Sequence, residues 1–348
     1  MMINRNRLPW LGAGAALVLA LSACGGGSEE GGTGGGDAAN QVDDPELQAL
    51  IEAAQEEGSL TLYGAPDEHL LRAVAEEFTA LYDVSVEPVR LVSSDLAQRY
   101  SAEAETGSPA ADAFLLTHSP FYEEAFAEGW ITPLSEAGVP GMPEDYPQDY
   151  LVDDGETALV SLVPTLMVYN TDAVGEAPES WEAYADPQYK GQLAIADPSS
   201  SPANLAFWQL MRDEYGDAFL EGVAANEPTW HNSAVPGTQA VAAGEDSLGH
   251  PGVQAIVNNL QGEGAPLEGV LPGPTTGPEI ALGLSAESAN PNAAALFAHY
   301  ILSEAGSTHL AEISDAASPY GYGLDTFNRP IAVSDEQAAQ IAELLGTN

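Results

Sequence analysis

Basic residues are scarce in this sequence. There are eight, only one of them a lysine (Lys190), against 53 acidic residues, and the formal charge is −45 over 348 residues. Aspartate and glutamate run along the whole chain rather than forming a tail, so the acidity belongs to the folded surface. Such a surface repels phosphate backbones, which excludes nucleic-acid binding. Lys190 stands in Gln188-Tyr189-Lys190-Gly191, not in the Gly-x-x-x-x-Gly-Lys-Ser/Thr loop that cradles nucleotide phosphates, so the chain is not an ATPase of that type. Cys24 is the only cysteine, which rules out an intramolecular disulfide. A Gly-x-Ser-x-Gly elbow and a His-Glu-x-x-His helix are both missing. Carboxylates are so numerous that a glycosidase-like pair carries no information. An enzyme is the least favoured reading, and no cofactor or resident metal is expected. The surface suits a salt-adapted extracellular protein whose carboxylates stay hydrated when charge is screened; a cation-collecting surface is the alternative.

What is present begins at the N-terminus. Arg5 and Arg7 precede an apolar run over 8–23, too short for a comfortable span of about 20 residues. It ends in Leu21-Ser22-Ala23-Cys24, which resembles the lipobox of bacterial lipoproteins. That resemblance implies a signal peptide over 1–23, cleavage before Cys24, and a lipid anchor on Cys24 at the extracytoplasmic face of the membrane, or export to the periplasm. Residues 24–44 are Gly-rich and acidic, cannot bury a core, and are expected to act as a tether.

From Pro45 the pattern changes. Leu47, Leu50, Ile51 and Ala54 recur at helical spacing between Asp44 as cap and Gly58 as stop. Strands follow at 60–63, 84–91 and 113–116, with helices at 67–81, 95–105 and after Ser119-Pro120. The middle repeats this grammar: strands at 159–163, 166–169 and 193–196, then helices through Trp208 and Val241. An extended return at 269–284, a helix over 291–304, a turn at 320–323 and a final helix over 335–345 complete the chain. Alternating strands and helices predict an α/β protein with largely parallel sheets, in which ligands bind at the carboxyl ends of strands.

In this order and spacing the segments resemble the iron(III)-type branch of bacterial extracellular solute-binding proteins. The resemblance covers roughly 58–325. It rests on Leu60-Thr61-Leu62-Tyr63, Pro109-Ala110-Ala111-Asp112-Ala113, Glu128-Gly129-Trp130-Ile131-Thr132-Pro133-Leu134, Met167-Val168-Tyr169-Asn170-Thr171 and Asp186-Pro187-Gln188-Tyr189-Lys190-Gly191. Gln239-Ala240-Val241-Ala242-Ala243-Gly244-Glu245 and Asn290-Pro291-Asn292-Ala293-Ala294 extend it. It implies the two-lobed type II periplasmic-binding-protein fold, each lobe a mixed, mostly parallel sheet flanked by helices, joined by two hinge strands. Lobe 1 is expected at 45–163 with 275–348, lobe 2 at 164–274. The implied role is that of a monomer that captures a small solute for the permease and ATPase subunits of an ABC importer.

Candidate ligand contacts lie in the polar loops. Asp67, Ser93, Ser94, Thr117, His118 and Ser119 follow strands of the first lobe. The resemblance adds Ser199, Ser200 and Ser201, which match a family loop that holds an anion, then Asn232, and His250 where a return strand meets the cleft. Each has a plainer reading as a helix cap, a turn or a loop residue. Arg99 is read either as an anion clamp or as a solvated ion pair. Ferric-binding members carry adjacent tyrosines where this chain has Gln254 and Ala255, and neither supplies a phenolate for a hard cation. A small organic or phosphorylated anion is therefore the expected solute. The alternatives are ferric ion, or a cation such as a polyamine held by acids and by Trp130, Tyr169 and Trp230.

Overall fold

The computed structural model describes residues 44–314, 316–321 and 325–347. The expected signal peptide, Cys24, nearly all of the expected tether and part of the late turn lie outside the described residues.

The first lobe is built as its local signals dictate. Helix α1 (Pro45–Glu57) starts where the Asp44 carboxylate accepts from the Glu46 and Leu47 amides, and stops at Gly58 with φ 79°. Then come β1 (Ser59–Gly64), α2 (Glu68–Tyr82), β2 (Ser85–Arg90), α3 (Ser93–Glu105), β3 (Ala113–Thr117) and α4 (Pro120–Ala127). β1, β2 and β3 are parallel, and the six-stranded sheet is completed by β4 (Leu151–Val152), β5 (Thr157–Leu162) and β11 (Glu279–Leu284), in the order β2-β1-β3-β11-β5-β4. Side-chain alternation divides its core. Leu60, Leu62, Ala113 and Leu115 join Phe78 and Phe297 on one face, while Tyr63, Phe114 and Leu116 meet Tyr100 and Tyr122 on the other. The first face is covered by α1, α2 and α9 (Pro291–Leu302); α10 (Glu304–Ser314) continues beyond the end of the expected helix.

The second lobe repeats the plan. β6 (Leu166–Asn170), β7 (Leu193–Ala196), α5 (Pro202–Tyr215), α6 (Asp217–Ala225), β8 (Thr229–His231), α7 (Ala234–Ala243), β9 (Leu248–Gly252), α8 (Gln254–Gly262) and β10 (Leu267–Val270) give a sheet ordered β10-β6-β9-β7-β8. In each sheet the strand arriving from the other lobe, β11 or β6, runs antiparallel beside three parallel strands. Among the described residues no helix is long and apolar enough to cross a membrane.

The chain crosses between the sheets at 163–165 and again at 275–278. The extended return expected over 269–284 is therefore two strands, β10 and β11, with this crossing between them. The two passes clasp each other: Val163 N–H donates to Pro278 O (2.9 Å), the Thr165 hydroxyl to Thr276 O (2.7 Å), and the Thr275 hydroxyl to Thr165 O (2.7 Å). A third pass follows α10, and Asn328 N–H donates to Thr275 O (2.7 Å). It leads to α11 (Asp335–Leu345), whose Ile341 and Leu345 are buried in the second lobe's core with Trp208 and Phe219. This corrects the expectation that 275–348 returns wholly to the first lobe. The α11 stripe is apolar on one face only, and amphipathicity does not specify which sheet it covers.

Candidate ligand-binding cleft

Register places the two binding edges. Leu162 ends β5 opposite Glu279, at the same end of the sheet as Thr117 of β3, and Leu166 opens β6 opposite Gly252, the last residue of β9. Only residues 163–165 separate these points, a reach of roughly 14 Å at most. The carboxyl ends of the parallel strands in both sheets therefore border one cleft.

On the first-lobe side, α2, α3 and α4 start directly after β1, β2 and β3. Asp67 is exposed and caps α2, accepting from His69 N–H (2.8 Å). Ser93 does not cap α3. Its hydroxyl accepts from Thr117 N–H (2.9 Å) and donates to the Thr117 hydroxyl (3.0 Å), sewing the start of α3 to the end of β3. Ser94 beside it is exposed. The His118 amide donates to Glu279 O (2.8 Å), and its Nε2 lies 3.0 Å from Asp153 Oδ2. Asp153, Asp154 and Gly155 have successive positive φ values of 53°, 57° and 88°. Ser119 occupies the cap position of α4 without a side-chain cap bond, as Val92 does before α3.

On the second-lobe side, the three serines are turned into their own loop. Asp197 Oδ1 accepts from the Ser199 amide (2.8 Å) and hydroxyl (2.6 Å). The Ser200 hydroxyl donates to Asp197 O (2.6 Å) and accepts from Asn204 Nδ2 (2.8 Å), while Ser201 caps α5 by accepting from Asn204 N–H (3.1 Å). Local turn and cap chemistry thus accounts for all three. Asn232 and Ser233 are exposed at the start of α7, which again has no side-chain cap.

A cleft bordered by helix N-termini from two sheets of the same topology suits capture of a solute, and the comparison with known families decides the class. A model of the bacterial extracellular solute-binding proteins matches residues 108–338.

The chain belongs to this family.

Its fold resembles several solved binding proteins. The substrate-binding protein of an ABC transporter from Agrobacterium tumefaciens matches with TM-score 0.65 and 16% identity, over 82% of this chain and 94% of that one. Iron-bound HitA from Pseudomonas aeruginosa matches at 0.59 and 18%, over 83% and 97%. AfuA from Actinobacillus pleuropneumoniae, with fructose 6-phosphate bound, matches at 0.57 and 20%, over 84% and 97%.

The remaining expected contacts of this solute-binding protein sit elsewhere. His250 is buried within β9, on the core side of the second sheet, stacked on Phe207 (3.7 Å between ring centroids) and edged by Trp181, Tyr184 and Trp208. Neither ring nitrogen has a hydrogen-bond partner. Burial pushes its pKa down to about 3, and the nearby Leu166 backbone only partly offsets this. Arg99 is an ion pair, with Nε 2.8 Å from Glu103 Oε1 and its guanidinium over the Tyr63 ring. The aromatics of the cation reading do not converge. Trp130 adjoins the Ile131–Ser285 bridge at the opposite edge of the first sheet, Tyr169 donates to Glu268 (2.6 Å), and Trp230 packs against the second core. Gln254 opens α8 and donates to Asn258 (2.7 Å), where a ferric site would need a phenolate. Among the described residues no three His, Cys, Asp or Glu side chains converge as a metal site would require.

Sequence reasoning passed over Arg90. It ends β2, is exposed, and its Nε lies 3.5 Å from Pro66 O in the loop after β1. Among the described residues it is the only Lys or Arg without a carboxylate partner, since Arg72, Arg99, Lys190, Arg212 and Arg329 each hold one. Six basic residues fall in the described chain, so a search for the one without an i±4 acid would have singled out few candidates.

Proposed function

We propose that this protein binds a small organic or phosphorylated anion in the interlobe cleft and delivers it to the permease and ATPase subunits of an ABC importer. On this reading it works as a monomer held at the extracytoplasmic face by a lipid on Cys24, and it acts by binding and release rather than by turnover.

One observation carries the anion. Helices α3, α4 and α7 open at the carboxyl ends of β2, β3 and β8, and none has a side-chain cap. On the same edges α2 and α5 are capped by Asp67 and Ser201, so the open amides are those of α3, α4 and α7. An uncapped N-terminus leaves amide donors and the positive end of the helix dipole for a ligand. The overall charge of −45 opposes this at long range, but salt shortens that repulsion to about 3 Å at 1 M, whereas donors act at contact. Mass spectrometry of small molecules released from natively purified protein, backed by a thermal-shift library, tests the reading. Anions among the released molecules and stabilising hits are expected; stabilisation by polyamines or ferric ion alone overturns it.

A further inference from the structure

Resting on that reading, we propose that the cleft is selective for organic monocarboxylates with an apolar body, with Arg90 as the anchor of the carboxylate.

The charge argument starts from scarcity. Every other described cation is neutralised by a neighbouring carboxylate, while Arg90 is left free at the end of β2, next to the uncapped start of α3 and the exposed Ser94. A guanidinium presents a planar fork that fits a carboxylate with two parallel hydrogen bonds. One free cation compensates one negative charge. In a chain with 53 acidic residues a second or third ligand charge would find no counter-ion among the described side chains bordering the cleft.

The apolar argument is independent. Six large hydrophobic residues are exposed among the described residues, and three of them follow the carboxyl ends of β2 and β8: Leu91 (37%), Val92 (48%) and Val235 (46%). Leu91 and Val92 link Arg90 to α3, so the first-lobe lip joins a cation directly to apolar surface. Val235 lies in the first turn of α7 on the opposite lip. Exposed aliphatic groups on both lips of a cleft gain by covering an apolar ligand, because both surfaces then leave water. A hydrated inorganic anion or a sugar phosphate offers little such surface.

Isothermal titration of the full chain with a matched panel tests this: hexanoate and phenylacetate, acetate as the same charge without a body, hexanol as a body without charge, and citrate, fructose 6-phosphate and putrescine. Hexanoate or phenylacetate is expected to bind at least 10-fold more tightly than acetate or hexanol. Arg90→Gln should weaken that binding about 10- to 100-fold, and Arg90→Lys should restore part of it. Val92→Ser with Val235→Ser should reduce affinity for the longer acids while leaving acetate unchanged. Because Arg90 is exposed and its side chain makes one long hydrogen bond, 3.5 Å to Pro66 O, the variants should melt as the parent does. If citrate or fructose 6-phosphate binds best and Arg90→Gln leaves it unaffected, the anion reading stands and this proposal falls. If only putrescine binds, both fall. Failure of both longer acids to bind also overturns the proposal.

Discussion

Arg329 and Glu279 form a two-pronged ion pair at the hinge, with Nε 2.6 Å from Oε1 and Nη2 3.2 Å from Oε2. Glu279 opens β11 opposite Leu162 and is only 6% exposed, while Arg329 arrives on the third pass between the lobes. The same guanidinium donates to Asp149 O (2.9 Å), so one side chain fastens the C-terminal crossing to the first sheet. The hydrogen bond to Glu279 is the main cause that raises the Arg329 pKa.

Removing that cation strands a buried carboxylate. Arg329→Met is expected to lower stability by about 1–3 kcal/mol, short of a fully buried pair because the arginine is partly exposed. Glu279→Gln, which keeps one hydrogen bond, should cost less. Urea unfolding midpoints at constant m-value measure both; equal stability of Arg329→Met and parent would refute the clasp.

His250 makes stability depend on pH. Its folded pKa of about 3 lies below the unfolded value of 6.5, so the unfolded chain takes up a proton that the folded chain refuses. The associated stability is complete above about pH 6.5 and is lost as the pH falls toward 3. At pH 5 the loss amounts to about 2 kcal/mol. His250→Leu should therefore gain about that much over the parent at pH 5 relative to their difference at pH 7.5. Paired denaturation curves at the two pH values decide it, and parallel pH dependences in both proteins count against the buried neutral imidazole.

Asn232→Asp separates stability from binding. A carboxylate at the open start of α7 favours the helix dipole by about 0.3–1 kcal/mol, yet repels an anion bound there. The melting temperature should rise slightly while affinity for the recovered solute falls. Tighter binding in the variant would point to a cation.

Cys24→Ala tests the anchor that Leu21-Ser22-Ala23-Cys24 implies. The protein should shift from the membrane fraction to the soluble extracytoplasmic fraction. Unchanged membrane association would remove the lipid from the account.

Among the site residues, the local readings proved legible and the paired ones did not. Asp67 caps its helix, and Ser201 and Asp197 close their turn, because such bonds join residues two or three apart that the sequence itself places together. Ser93 escaped that logic: its partner Thr117 is 24 residues away, on a strand whose register nothing local reports. Arg99 has an acid four residues on and is neutralised by it, whereas Arg90, at a strand end, has none.

The sequence by itself determined the alternation of strand and helix. Caps such as Asp44, stops such as Gly58 and two- or 3.6-residue periodicities are contacts within a few residues, and burial follows them directly in Leu62, Tyr63 and Phe114. Tertiary structure alone decided that α11 closes the second core, that His250 faces inward onto Phe207, and that Arg90 is left free beside Val92. Each of these depends on which sheet an amphipathic face meets, or on whether a distant carboxylate comes within about 4 Å. That is settled by long-range pairing, which local patterning constrains only weakly.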